Sequence, residues 1–344
     1  MLGISVYFQD LDLEYLKKAK ECGAYYVFSS LHIPEEDYST LGEKLPLFFK
    51  TVDELGLEVV PDISPNTFAK LNLEPGDYDG FKKLGFKALR LDYGFDDFEV
   101  VKTLLKDYKI MLNASVVDGE YLRKAKEAGV DFTNLALTHN FYPRNETALS
   151  MEVFDKRNAE FAEFDIPVQA FIPGDDLKRF PLYEGLPTVE KHRGKNPYVS
   201  AVELMKKCGI KDVLIGDSKA KIETLKFIND YMEHNVMHIK VFLEEEYTYL
   251  YNQELKSRAD SSENVIRITT ERKPGVKVFQ NVDRPRGSIT MDNHLIGRYG
   301  GEVQLLKKDF PMDARVNVIG HIHPAYVDLL EYIDRDTVIK FVPL

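Results

Sequence analysis

One pattern constrains the fold of this 344-residue chain more than any other: an amphipathic helix, a glycine, then a short apolar strand, recurring along its N-terminal part. The first copy is LEYLKKAKECG followed by AYYVFSSL, and a close match is EYLRKAKEAG followed by VDFTNLAL. Leu16-Lys17-Lys18-Ala19-Lys20 and Leu122-Arg123-Lys124-Ala125-Lys126 hold equivalent places in the two copies. Looser copies are VDELG–LEVVPDI, FKKLG–FKALRLDYG and LMKKCG–IKDVLIGDS. Gly23, Gly56, Gly85, Gly129 and Gly209 stand where each helix must stop, because glycine accepts the left-handed backbone of such a stop. The first three fall about 30 residues apart, the length of one βα unit. With the strands GISVYF and IPVQAFI, about eight strands alternate with helices within residues 1–219. Alternation predicts a parallel sheet, and eight units predict a closed (β/α)8 TIM barrel. An open doubly wound sheet is the alternative, and the lack of G-x-G-x-x-G after the first strand argues against dinucleotide binding.

After AKIETLKFINDYMEHN the texture changes to short β-branched segments, VIRITTE, GVKVFQN, ARVNVIGHI and TVIKFVPL, separated by turn sequences such as ERKPG, VDRPRG and RYGG. The boundary is expected near Asn235, with residues 1–235 forming the barrel and 236–344 a small antiparallel β barrel or sandwich. A net charge of −11 disfavours a nucleic-acid binder, which needs a basic surface, but permits a local cationic pocket for one small anion. The start MLGISVYFQD carries no cationic leader, and no run approaches the roughly 20 apolar residues of a membrane span, so a cytoplasmic chain with no membrane partner is expected. Cys22 and Cys208 each precede a stop glycine, which suits buried small residues in a reducing compartment better than a disulfide.

In such a barrel, chemistry sits at the C-terminal ends of the strands. That rule selects Gln9 and Asp10 after strand 1, Ser30 with His32 following after strand 2, and Asp62 after strand 3. Strand 4 contributes Arg90, Asp92 and Tyr93, strand 5 Asn113 and Ser115, and strand 6 Thr138, His139 and Asn140. Strand 7 carries Gln169 and strand 8 ends at Asp217. Arg90 and Asp92 are two apart and share the inner face, leaving Leu89 and Leu91 toward the helices; Asn113 and Ser115 pair in the same way. Polar groups in apolar strands are costly unless paired or wetted by a ligand. The loop GDDLKRFPLYEGLPTVEKHRGKNP, with Glu184, Thr188, His192 and Arg193, reads as a substrate lid or specificity loop. THNFYPRNETALS is a second functional loop. His321 and His323 alternate on an expected strand, but no third ligand accompanies them, so no metal or other cofactor is expected. Asp217-Ser218-Lys219 reads either as a helix cap or as part of an anion site.

The stretches SSLHIPEED, RLDYGF, LNASV, LTHNFYPR, AFIPG, PLYEGLPTVEKHR and IGDS, with NVDRPRGSITMDN and GRYGGEVQL further on, resemble the 6-phospho-N-acetylmuramidases, a bacterial glycoside hydrolase family. The resemblance covers nearly the whole chain. It implies a cytoplasmic enzyme built from a TIM barrel and a cyclophilin-like β domain. It also implies cleavage of the β-1,4 bond of 6-phosphorylated N-acetylmuramyl-N-acetylglucosamine during recovery of cell-wall sugars.

Glycoside hydrolysis needs a carboxylic acid beside the leaving oxygen and a carboxylate across the sugar. Asp92, with Arg90 and Tyr93 beside it, is the expected member, opposed by Asp10 or Glu184. Retention, inversion and participation of the substrate's own N-acetyl group all stay open. A 6-phosphate and a lactyl carboxylate call for cations, and Arg193, Arg284, Arg286 and Arg298 are the candidates. Arg284 and Arg286 flank Pro285 in a stiff turn, which suggests that the second domain supplies part of the anion site. Another phosphosugar enzyme on the same barrel, or a non-catalytic phosphosugar-binding protein, are the competing readings. The expected partner is the phosphorylated disaccharide; oligomeric state is not legible.

Overall fold

The computed structural model describes residues 1–31, 41–95, 97–260, 262–272 and 275–344. His32 lies outside the described residues. The chain divides into two compact units, Met1–Asn229 and Asp230–Leu344.

The first unit is a closed parallel barrel whose strands follow chain order: β1 (Leu2–Ser5), β2 (Ala24–Ser30), β3 (Glu58–Ile63), β4 (Ala88–Leu91), β5 (Lys109–Asn113), β6 (Leu135–Thr138), β7 (Val168–Ile172) and β8 (Asp212–Ile215). β1 pairs with both β2 and β8, which closes the ring. Helices α1 (Leu13–Glu21), α2 (Leu41–Leu55), α3 (Pro65–Lys70), α4 (Tyr78–Lys83), α5 (Phe98–Leu104) and α6 (Gly119–Glu127) lie between the first six strands, and the two matching ones are α1 and α6. Each is started by an aspartate whose side chain accepts from first-turn amides, Asp12 and Asp118. Each buries the equivalent pair, Leu16 with Ala19 and Leu122 with Ala125. The repeat in the sequence is therefore a repeat of which helix face meets the strands. All five stop glycines have positive φ, from 62° at Gly56 to 103° at Gly85.

Inside the barrel, Tyr26, Val60, Ala88, Met111 and Ala136 pack as one apolar layer. Two residues further along the strands the filling divides. Phe28, Phe171 and Leu214 continue an apolar wall. Asp62, Arg90, Asn113 and Thr138 make the other side polar, Gln169 lies lower on β7, two residues before Phe171, and all five polar residues are buried. Register places Asp62 beside Arg90, Asn113 beside Thr138, and Thr138 beside Gln169.

The second unit is also a closed barrel, with β9 (Val236–Leu243), β10 (Leu255–Ser257), β11 (Val265–Thr269), β12 (Ser288–Asp292), β13 (Val303–Leu306), β14 (Val316–Ile322) and β15 (Val338–Pro343). Its order is β10-β11-β13-β12-β14-β9-β15. Pairing is antiparallel except for β9 with β15, which run parallel, a departure from the all-antiparallel expectation. GVKVFQN is not a strand. Side-chain amides take the place of a ladder there: Asn317 Nδ2 donates to Lys277 O at 2.7 Å, and Phe279 N donates to Asn317 Oδ1 at 3.1 Å. His323 falls beyond β14, where its Nδ1 accepts from Ala325 N at 3.1 Å and starts a helical turn at Pro324. It therefore does not share a strand with His321. Among the described residues no group of three or more His, Cys, Asp or Glu is arranged to hold a metal ion.

Two glycines separate backbone strain from steric exclusion. A Cβ on Gly129 would meet nothing within 4 Å, so Gly129→Ala is expected to lose only what the φ of 81° costs, about 1 kcal/mol. A Cβ on Gly174 would sit 2.3 Å from the Lys219 carbonyl oxygen, which cannot yield. Thermal unfolding followed by circular dichroism should show a larger fall in Tm for Gly174→Ala; equal falls would contradict this account of the packing.

Candidate active site

Arg90 organises the mouth of the first barrel. Its side chain is 2% exposed, and a buried guanidinium depends on partners for its donors; here both terminal nitrogens have them and Nε does not. Nη1 donates to Asp62 Oδ1 at 2.5 Å and lies 3.4 Å from Asp92 Oδ1. Nη2 donates to Asn140 Oδ1 at 2.6 Å and to Thr138 O at 3.2 Å. Asn113 Nδ2 donates to the same Asp92 oxygen at 2.9 Å. Four of the expected site residues, Arg90, Asp92, Asn113 and Asn140, thus form one bonded cluster, with Asp62 as a fifth member. Asp92 is about one-fifth exposed, the most accessible of the two carboxylates facing the guanidinium. One positive charge faces two negative ones, so this part of the mouth is net acidic.

The other expected residues are placed as follows. Asp10 follows β1 and accepts from Ser218 Oγ at 2.8 Å, with Gln9 exposed beside it. Ser30 is buried at the end of β2. Tyr93 is half exposed, and its hydroxyl accepts from Asn66 Nδ2 at 3.1 Å. Gln169 sits deep in the barrel, accepting from Thr138 Oγ1 and donating to Asp212 Oδ2, below the mouth. His139 is a correction to the expected ligand contacts. Thr138 and Asn140 point inward, so His139 points outward, fully buried against Phe154 and Phe161 of α7 (Met151–Phe161). Burial pushes its imidazole down to about 4, helped by the nearby charges of Arg157 and Arg90 and opposed by a bond to Asn158.

The two long loops form a braced rim, not a free lid. Asp217 is fully buried, and its carboxylate accepts from the backbone amides of Gly174 at 2.7 Å, Arg179 at 3.0 Å and Leu186 at 3.3 Å. These amides make a cradle at the place where barrels of this kind often hold phosphate, and here the protein's own carboxylate occupies it. Thr188 is likewise internal: its hydroxyl donates to Asn140 O and accepts from Phe171 N. Glu190 accepts from the amides of Glu146 and Ala148 and is forked by Arg193, whose remaining contacts are the carbonyls of Gly185, Tyr142 and Arg144. Arg193 therefore ties the two loops together and is not presented to an external anion. His192 and Lys191 both reach Glu203 of α8 (Pro197–Cys208). Glu184 is exposed on the rim and accepts from Asn145 N at 3.2 Å.

Sequence reasoning missed Arg179, Glu190 and Glu203. Arg179 is buried, its guanidinium 5.1 Å from the Tyr7 ring centre and 5.9 Å from that of Phe141. The three-residue spacing of Glu190 and Arg193 was the one available signal for the clamp. In the second unit, Arg284 donates to Pro311 O and lies over Phe310, Arg286 pairs with Asp328 and Glu331, and Arg298 donates to Tyr299 Oη.

The Glu190 clamp has a pH signature. The Arg193 bond, aided by the two amides and opposed by partial burial, holds its carboxyl down at about 2. A carboxyl lowered on folding stabilises above its unfolded value, near 4.3, and that contribution is lost as pH falls toward the folded value. Hydrogen exchange at the Glu146 and Ala148 amides, corrected for intrinsic rates, should hold level from about pH 7 to about 5 and lose protection below about 4. Glu190→Gln should lower it already at neutral pH.

Comparison with known proteins adds the lineage. The model of the 6-phospho-N-acetylmuramidase N-terminal domain matches residues 2–230, and that of the C-terminal domain matches residues 235–342. Among solved structures, a conserved Enterococcus faecalis protein of unknown function superposes with a TM-score of 0.87 at 30% identity, covering 100% of this chain and 96% of that one. An uncharacterised B. cereus protein follows with a TM-score of 0.79 at 26% identity, covering 99% of each chain. No curated protein matches. With both domain models matched in order along its length, the chain belongs to the 6-phospho-N-acetylmuramidase family.

Proposed function

We propose that this chain is a cytoplasmic glycosidase that hydrolyses the β-1,4 bond of 6-phospho-N-acetylmuramyl-N-acetylglucosamine. The products are N-acetylmuramic acid 6-phosphate and N-acetylglucosamine, and the reaction serves recovery of cell-wall sugars. Family membership supports the class of reaction. The observation that carries the residue assignment is the fixing of Asp92 Oδ1 by Arg90 and Asn113 at the C-terminal ends of the strands. A carboxyl group held by two donors has one defined orientation, which positioned proton transfer or nucleophilic attack requires. In the reaction the anomeric C–O bond breaks, the departing oxygen takes a proton, and the elements of water complete the two products. Asp92 is assigned one of the two carboxyl roles, and Asp10 or Glu184 the other. Asp62, sealed beneath Arg90, serves to hold the guanidinium in place.

The substrate's phosphate needs a cation other than Arg193, which is occupied by the rim, and a cradle other than the one filled by Asp217.

Incubation with the phosphorylated and unphosphorylated disaccharides side by side tests the reading: rapid release of N-acetylglucosamine from the first and little from the second is expected. Saturable binding without release would make the protein a phosphosugar-binding module instead. Asp92→Asn should lower kcat by roughly 10²–10⁴-fold with little change in KM.

A further inference from the structure

His139 is conspicuous because it flanks the mouth residues in sequence yet cannot touch a ligand. Its Nε2 lies 3.0 Å from Asn158 Oδ1 on α7. An amide oxygen only accepts, so Nε2 carries the proton and Nδ1 keeps its lone pair. Nδ1 lies 3.4 Å from Ser115 Oγ, and the serine hydroxyl is the donor in that contact. With its hydrogen directed at the ring, Ser115 Oγ offers a lone pair to the Asn140 backbone N–H, which donates to it at 2.9 Å.

From Ser115 two arms reach the barrel mouth. One runs through Asn140, whose Oδ1 accepts from Arg90 Nη2 at 2.6 Å. The other runs through Asn113, whose Oδ1 accepts from Ser115 N at 3.0 Å and whose Nδ2 donates to Asp92. The arms meet again where Arg90 faces Asp92. We propose that Asn158, His139 and Ser115 form a positioning relay that sets Asn140 and Asn113, and through them the Arg90–Asp92 pair. This inference rests on the glycosidase reading of the mouth.

The relay needs a neutral ring with a fixed tautomer, and its surroundings supply both. The ring is fully buried, its centre 4.7 Å from that of Phe154. The charged groups facing it, Arg90 from β4 and Arg157 from α7, are both cations, which disfavour an imidazolium. Removing the Ser115 hydroxyl takes the partner from the part-buried Asn140 N–H and from the lone pair of the buried histidine, and buried groups without partners are displaced or destabilised.

The test uses the full chain, the phosphorylated disaccharide and two matched variants. Ser115→Ala is expected to lower kcat by about 10–100-fold, with KM within about twofold and Tm within a few degrees of the unaltered protein. Ser115→Thr, which keeps the hydroxyl, is expected to recover most of that loss. Asn158→Leu, acting one bond further out, should lower kcat in the same direction by less. Turnover by Ser115→Ala at the unaltered rate would overturn the relay while leaving the glycosidase reading intact. A threonine variant as slow as the alanine one would also overturn it, since the hydroxyl would then not be the operative group. Absence of turnover by the unaltered chain would defeat the glycosidase reading, and the relay as a catalytic device with it. Independently of substrate, ¹⁵N spectra of the His139 imidazole should show the Nε2–H tautomer, and an Nδ1–H tautomer would refute the relay whatever the kinetics.

Discussion

A guanidinium enclosed by a parallel β barrel must find acceptors that the barrel backbone, already fully paired along its strands, does not freely supply. Arg90 meets that demand at its two terminal nitrogens, though not at Nε, with side chains and one strand-end carbonyl: Asp62 from the neighbouring strand, Asp92 from its own, Asn140 and the Thr138 carbonyl from the end of β6. Each of these partners is fixed by the demand. The polar half of the barrel interior is thereby rigid, while the opposite wall of Phe28, Phe171 and Leu214 offers apolar surface. A sugar ring, with polar edges and apolar faces, is chemically suited to a mouth divided in this way.

Carboxylates do the equivalent work in the loops. Asp217 and Glu190 each gather donors from segments far apart in sequence, and Glu203 holds the adjacent Lys191 and His192 to α8. Burial raises the Glu203 carboxyl, but its bonds to His192 and Lys191 more than reverse this and leave it at about 2. These loops have no regular ladder of their own, and charged side chains accepting from backbone amides stand in for one. The chain's net negative charge is therefore partly structural, directed at its own backbone.

How much of this the sequence carries depends on whether the signal is periodic. The helix–glycine–strand repeat exposes the barrel because one helix face and one stop recur at every unit. Two-residue alternation turns Arg90, Asp92 and Asn113 inward, but it also pairs Ser115 with Asn113, whereas β5 ends at Asn113 and Ser115 lies in a turn beside the His139 ring. The same alternation turns His139 outward, and strand-end position alone, read without it, assigns His139 to the mouth. Asp217 and Arg193 illustrate the other limit. Their residue types suit an external anion, but the three amides around Asp217 and the carbonyls around Arg193 come from positions with no sequence mark. In the second unit, GVKVFQN has strand composition but makes only isolated backbone bonds, Val318 N to Gln280 O and His294 N to Val276 O, and the side-chain amides of Asn281, Asn293 and Asn317 bond that stretch and its surroundings.

The parallel pairing of β9 with β15 has a consequence for biogenesis. The earliest and latest strands of the second barrel lie side by side, from Val236 against Val338 to Val241 against Pro343. Such pairing demands closure of a loop of about 100 residues, and contacts this remote in sequence slow folding. During translation the first barrel has all its strands long before the second can shut. The second remains an open sheet with an unpaired β9 edge until β15 clears the ribosome, and that interval is when the nascent chain most needs protection from other strands.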